Sequence, residues 1–207
     1  MSFEATGRYA LLPAPAGLTL VQDLLNTVAA GRPRKPDLLA TAELAAPWLA
    51  TAMRSWAAAR DGSAPVLPAI GANELPALRR LRDAVRDAVR GGKDSDHLAP
   101  APLTGGLSLT LDVTGRVRAV PRGTTAPGWL RSAVLVELLE AQQADTWRRL
   151  KMCRNDRCSV AFYDRSKNNS GVWHDARVCG NAVNLRASRA RRSGRDVPRA
   201  PGDAPGS

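Results

Sequence analysis

The segment CRNDRCSVAFYDRSKNNSGVWHDARVC, residues 153–179, holds all three cysteines of the 207-residue chain and one of its two histidines. Its metal-ligand candidates are Cys153, Cys158, His174 and Cys179, spaced as Cys-x4-Cys, fifteen residues, then His-x4-Cys. Structural zinc asks for four soft or borderline ligands in a tetrahedron, usually delivered as two close pairs from two turns. The linker between the pairs fits that demand. Val160, Phe162 and Tyr163 read as a short strand, and DRSKNNSG is built of turn formers that let the chain double back. Phe162 and Trp173 are the expected small core beside the metal.

Spacing alone leaves other readings open. Cys153 and Cys158 could form a disulfide or be two buried thiols, with His174 on the surface. A catalytic cysteine lacks an evident partner, because His97, the other histidine, stands in the charged loop KDSDHL. A catalytic zinc keeps one coordination position for water, whereas four protein ligands close the site, so the metal reading is a structural one.

Charge singles out the same region. The formal net charge is +11, an excess that speaks of anionic partners rather than of fold. Residues 1–147 carry 16 Lys/Arg against 14 Asp/Glu, while residues 148–199 carry 14 against 4. Twelve of those 14 are arginines, and guanidinium groups fork phosphates and guanine edges bidentately. After Cys179 the run GNAVNLRASRARRSGR contains no proline, and in a helix Arg186, Arg189 and Arg192 would roughly line one face. The bland reading of such a run is a solvated basic helix.

Aromatic residues make up only 4% of the chain, so the core falls to Leu, Val and Ala, which favours helices. LTLVQDLLNTVAAG, residues 18–31, has helical spacing. Within it, Asp23 is expected in solvent and Asn26 on a backbone group, the alternative being a small-molecule pocket. Asp37 is a candidate cap for a second helix, and residues 61–72 read as a loop. NELPALRRLRDAVRDAVRGG, residues 73–92, shows one apolar stripe of Leu75, Leu78, Leu81, Val85 and Val89. Asn73 is its expected cap, and its charges are expected to be solvated. Leu107, Leu109, Leu111 and Val113 alternate ahead of Thr114-Gly115, and Val117 and Val120 follow, which predicts a β-hairpin. A further helix is expected over 128–150, with Arg148, Arg149 and Lys151 complementing its dipole.

The stretch from Leu150 to Arg192 resembles the CGNR-type zinc finger, a bacterial family. The resemblance rests on Cys153 and Cys158, FYDRSKN at 162–168, Trp173, and Cys179-Gly180-Asn181. His174 stands where the family has its third cysteine, and Ala182 where its motif has arginine. LTLVQDLLNTV also resembles the opening of the ABATE domain that accompanies this finger in stress-induced transcription regulators. The resemblance implies one structural Zn2+ held by Cys153, Cys158, His174 and Cys179, and a role in transcription regulation.

The expected fold is therefore α+β. A mostly helical regulatory or sensor domain with a β-hairpin spans 1–147, a small zinc finger with a basic helix spans 148–193, and a disordered tail spans 194–207. The expected function is duplex-DNA binding through Arg165, Lys167, Arg177, Arg186, Arg189, Arg191 and Arg192. The alternative is an adaptor finger that meets protein or RNA. The front domain shows no phosphate-binding glycine loop and no Ser/His/Asp constellation, so an enzyme is not expected. A small-molecule signal and homodimerisation are compatible with a sensor domain. No apolar run approaches membrane-spanning length and no signal peptide is evident, so a cytoplasmic protein is expected; the resemblance implies a bacterial one.

Overall fold

The computed structural model describes residues 4–31, 33–62, 64–91 and 102–193. His97, Gly92 and the tail expected to be disordered, 194–207, lie outside them. The chain divides after His174 into two compact units, Met1–His174 and Asp175–Ser207.

The first unit is organised around one short helix. Its helices are α1 (Glu4–Gly7), α2 (Leu18–Leu25), α3 (Ala42–Ala58), α4 (Leu75–Arg90) and α5 (Ala126–Gln143), and its strands are β1 (Gly106–Leu111), β2 (Val117–Arg122), β3 (Leu150–Met152) and β4 (Ala161–Tyr163). All eight residues of α2 are buried, and α2 touches α1, α3, α4, α5 and β4. Leucine and valine supply much of that burial, but Thr19, Gln22 and Asp23 are buried with them. Buried polar groups need partners, and each of these has one. Gln22 Oε1 accepts from Ala14 N at 2.6 Å, and Thr19 Oγ1 donates to the Ala14 carbonyl. Asp23 accepts from Thr6 N at 2.7 Å and from Trp48 Nε1 at 2.8 Å. Asp23 is thus 1% exposed rather than solvated. Burial pushes its carboxyl above the ordinary range, against the N–H groups of Thr6 and Trp48. The charge pattern of α2 misled here because its partners lie far away in sequence.

Three further expectations change. Helix α3 starts at Ala42, where Thr41 Oγ1 accepts from Leu44 N. Asp37 instead closes a local turn on Leu39 N at 2.8 Å and pairs with Arg82 at 2.7 Å. Helix α4 starts at Leu75 after a single 3-10 turn, Ala72–Glu74. Glu74, not Asn73, holds that turn by accepting from Gly71 N at 3.1 Å. The apolar stripe of α4 is buried as expected from Leu75 to Val85, with Val89 half-buried, but its arginines are not all in water. Arg82 and Arg86 are 5% and 9% exposed. Arg82 reaches Thr27 Oγ1, Arg86 donates to the Leu25 carbonyl at 3.2 Å, and Arg79 donates to Leu39 and Ala40. A guanidinium serves carbonyls that α2 leaves orphaned at its C-terminal end. Helix α5 stops at Gln143, short of 150. Asp145 takes a left-handed backbone (φ 53°) and chelates Arg148, so Arg148, Arg149 and Lys151 do not serve the dipole of α5.

The hairpin forms where alternation placed it. β1 and β2 are antiparallel, with Leu107 opposite Pro121, Leu109 opposite Ala119 and Leu111 opposite Val117. Asp112 Oδ1 closes the turn by accepting from Thr114 N and Arg116 N, and Gly115 takes φ +80°. Among the described residues no helix is long and apolar enough to cross a membrane.

In the second unit a π-helical turn, Ala176–Gly180, runs into α6 (Asn181–Ser193). Asp175 caps the turn, its side chain accepting from Arg177 N and Val178 N.

Candidate metal centre

β3 and β4 form a small antiparallel hairpin with Leu150 opposite Tyr163 and Met152 opposite Ala161. Cys153 leaves β3 and continues the ladder through its N–H to the Val160 carbonyl at 2.8 Å. Between them the chain knots. Cys158 N donates to the Asn155 carbonyl at 2.7 Å, Arg157 N donates to Asn155 Oδ1, and Ser159 takes a left-handed backbone with φ 63°. That turn aims both thiols to one side. Arg154 N donates to the Val172 carbonyl at 2.9 Å, which draws the 172–174 segment alongside and brings His174 Nδ1 to 3.2 Å from Cys158 Sγ. In the following turn Cys179 N donates to the Asp175 carbonyl at 2.8 Å.

The result is a four-residue cluster. One ligand atom from each of Cys153, Cys158, His174 and Cys179 lies within 4.8 Å of the others. None of the three cysteines forms a disulfide, and all three are buried. The disulfide reading gives way to the cluster. Three thiolates and an imidazole are a donor set suited to zinc, and a tetrahedron about Zn2+ needs ligand atoms about 3.5–4 Å apart. The Cys153 thiol is held well below the ordinary thiol range, chiefly by its hydrogen bond with Cys158 and then by His174, against the opposing effect of burial. A thiolate is the form that ligates metal. Val160 and Phe162 are buried beside the knot, while Trp173 is only half-buried.

A second network fixes the linker. Asp164 is 4% exposed and accepts from Lys151 Nζ at 2.7 Å, Ser166 N at 2.9 Å and Gly171 N at 2.7 Å. Burial alone would raise its carboxyl, but the Lys151 ammonium and these N–H groups outweigh burial and hold it far below the usual carboxylate range. Lys151 also donates to the carbonyls of Asn169 and Gly171, and Arg149 to those of Asp164 and Ser166. Gly171 leaves room for the Asp164 carboxyl group, which a Cβ there would meet at 2.8 Å. Sequence reasoning overlooked Asp164. The available signal was its place at the head of DRSKNNSG, where an Asp two residues before Ser favours an Asx turn.

The residues expected to face nucleic acid fall in different settings. Arg165 is exposed, but it donates to the Pro13 carbonyl at 2.7 Å and lies over the Tyr163 ring. Lys167 and Arg177 are exposed. On α6, Arg186 is half-buried, and Arg189, Arg191 and Arg192 are exposed.

In comparison with known families, residues 149–192 fit the family model of the CGNR zinc finger. No curated protein matches the chain. The matched segment contains all four clustered residues, the Asp164–Lys151 network and nearly all of α6.

Proposed function

We propose that this chain is a DNA-binding transcription regulator. Its zinc finger holds one structural Zn2+ on Cys153, Cys158, His174 and Cys179, and α6 presents arginine to duplex DNA. The observation that carries the reading is a juxtaposition. Helix α6 starts two residues after Cys179, inside the segment that holds nearly all of the excess positive charge. A metal-fixed cationic helix is suited to phosphate contact and to a major groove. Arg189, Arg191 and Arg192 are its exposed cations, with Lys167 and Arg177 adding charge. Arg165 is the weakest member of the set, because the Pro13 carbonyl already engages it.

The front domain is then an ABATE-like sensor that acts by binding rather than catalysis. It carries an apolar groove of about 360 Å³ between α3 and the 64–70 loop, lined by Leu49, Met53, Val66 and Ile70, with Arg54 at its side. A small apolar ligand would fit that groove. The setting is the cytoplasm, and a bacterial one as the resemblance to CGNR and ABATE proteins implies.

One observation favours the adaptor reading instead: Leu185 on α6 is 57% exposed and Val178 before it 47%, and exposed apolar residues suit protein contact. Titration of a labelled duplex decides between the two. A regulator's affinity falls steeply with salt, with a log–log slope near one per phosphate contacted, and drops further when 181–207 is removed. No measurable binding at low salt would end the DNA reading.

A further inference from the structure

The hairpin expected from alternating leucines turns its alternation outward. Leu107, Leu109 and Leu111 are 49%, 68% and 71% exposed, and Val117 is 65% exposed. They share one face, because the cross-strand pairs on it are Leu107–Pro121, Leu109–Ala119 and Leu111–Val117. No charged or hydrogen-bonding side chain belongs to these pairs. Val113, in the turn at the tip, is fully exposed. The other face carries the polar groups, with Arg122 donating to Ser108 and Arg118 to Asp112 and to the Arg60 carbonyl. Helix α5 packs on the hairpin chiefly along β2, and near its base Ser132 Oγ bonds Gly106 N and the Arg122 carbonyl. On β2 the base of this face is covered, with Pro121 buried and Ala119 half-buried, whereas Leu107, Leu109, Leu111 and Val117 leave the rest of it open among the described residues.

A two-stranded sheet exposed in this way is marginal in water, and its pairs have the character of a core strand. We propose that a second copy of this chain covers the face, hairpin stacked on hairpin about a twofold axis. Two observations commit the occupant. The first is composition. Faces that meet transient partners are about as polar as the general surface, whereas homodimer interfaces are markedly more apolar. A face built only from Leu, Val, Ala and Pro belongs with the latter, and a twofold axis sets it against an equally apolar surface. The second is area. The five exposed residues present roughly 600 Å² of accessible surface, so two copies would bury roughly 1,200 Å² in all, the lower end of the range for specific stable interfaces. Pairing through the open edge of β1 would leave the leucines in water, so stacking face to face, about 10 Å apart, is the arrangement that buries them. The inference is independent of DNA binding.

Sedimentation velocity on the zinc-loaded full chain, from about 1 to about 100 µM, tests it. The wild-type chain sediments as a dimer that dissociates on dilution. Leu109→Glu raises the dimer dissociation constant at least about a hundredfold, as truncating a central apolar anchor does. Thr110→Glu, one residue along on the polar face, leaves it unchanged. Both positions are exposed in the single chain, and far-UV circular dichroism verifies the fold. If Leu109→Glu fails to fold, Leu111→Gln takes its place with the same expectation. A wild-type chain that stays monomeric throughout the range overturns the proposal. So does a dimer that the face variants leave intact, or one that Thr110→Glu dissociates equally.

Discussion

Asn26 pairs its side-chain amide with both backbone groups of Ala161, 135 positions further along the chain. Asn26 Nδ2 donates to the Ala161 carbonyl at 2.9 Å, and Ala161 N donates to Asn26 Oδ1 at 2.9 Å. The side chain takes the place of a neighbouring strand for β4. Asn26 and Ala161 are both 0% exposed, so no water replaces it. Asn26→Ala leaves a buried N–H and a buried C=O unmade, and a loss of about 2–4 kcal/mol is expected in urea unfolding. Asn26→Asp keeps the acceptor but sets a buried carboxylate against the Ala161 carbonyl, so at pH 7 it should cost at least as much as Asn26→Ala. A loss under about 0.5 kcal/mol for Asn26→Ala would show that the pair is dispensable.

This contact also shows where sequence reading stopped. The four clustered ligands were legible because metal chemistry restricts residue type and spacing, so the ligands announce themselves within 27 positions. The apolar stripe of α4 was legible because packing imposes the helical period on Leu75, Leu78, Leu81 and Val85. The burial of Asp23 was not: it looks solvated until the groups it serves, Thr6 N and Trp48 Nε1, are known. Asn26 was expected on a backbone group and holds one, but that group is Ala161, far away in sequence. Arg82 and Arg86 were misread for the same reason, since Thr27 and the Leu25 carbonyl are their partners. The hairpin was found but its faces were not, because alternation marks one apolar face without saying what covers it.

Gly17 is needed for space, not for backbone freedom. Its φ is an ordinary −72°, but a Cβ there would run into the Glu137 carboxylate. Glu137 is 2% exposed and is held by Arg60 at 2.7 Å and by Trp56 Nε1. Gly17→Ala must displace a buried carboxylate from both partners, and a loss of at least about 2 kcal/mol is expected. In a Glu137→Ala background the same substitution should cost less than half as much. Equal losses in the two backgrounds would place the obstruction elsewhere.

Asp164 gives the first unit an acid-sensitive link. Its folded carboxyl is held below the ordinary value of 3.8, so the stability it contributes is fully present above the unfolded pKa. That contribution is lost as pH falls through the folded value. Asp164→Asn keeps the shape but weakens the bond from Lys151. The stability gap between wild type and Asp164→Asn should be widest near pH 7 and shrink steadily from about pH 5 downward. Lys151→Met should be destabilising at pH 7, because it leaves the buried carboxylate without its cation. A gap that widens toward acid would contradict the assigned network.

Metal removal should reach beyond the finger. Leu150 and Ala161 belong to the same hydrophobic core as Leu20, Leu24 and Leu78, and Cys153 follows β3 while Cys158 precedes β4. Loosening the knot therefore frees β3 and β4, which takes Ala161 from Asn26 and Leu150 from the core. One zinc per chain is expected by elemental analysis, with Cys158→Ser or a strong chelator abolishing it. His174→Cys should retain the metal, since a fourth thiolate completes an equally suitable donor set. Calorimetry of the chelated chain should show the main unfolding transition shifted to lower temperature as a single event. A low-temperature transition that appears while the main one stays in place would mean that the finger unfolds by itself, and that the Asn26–Ala161 pair does not couple it to α2.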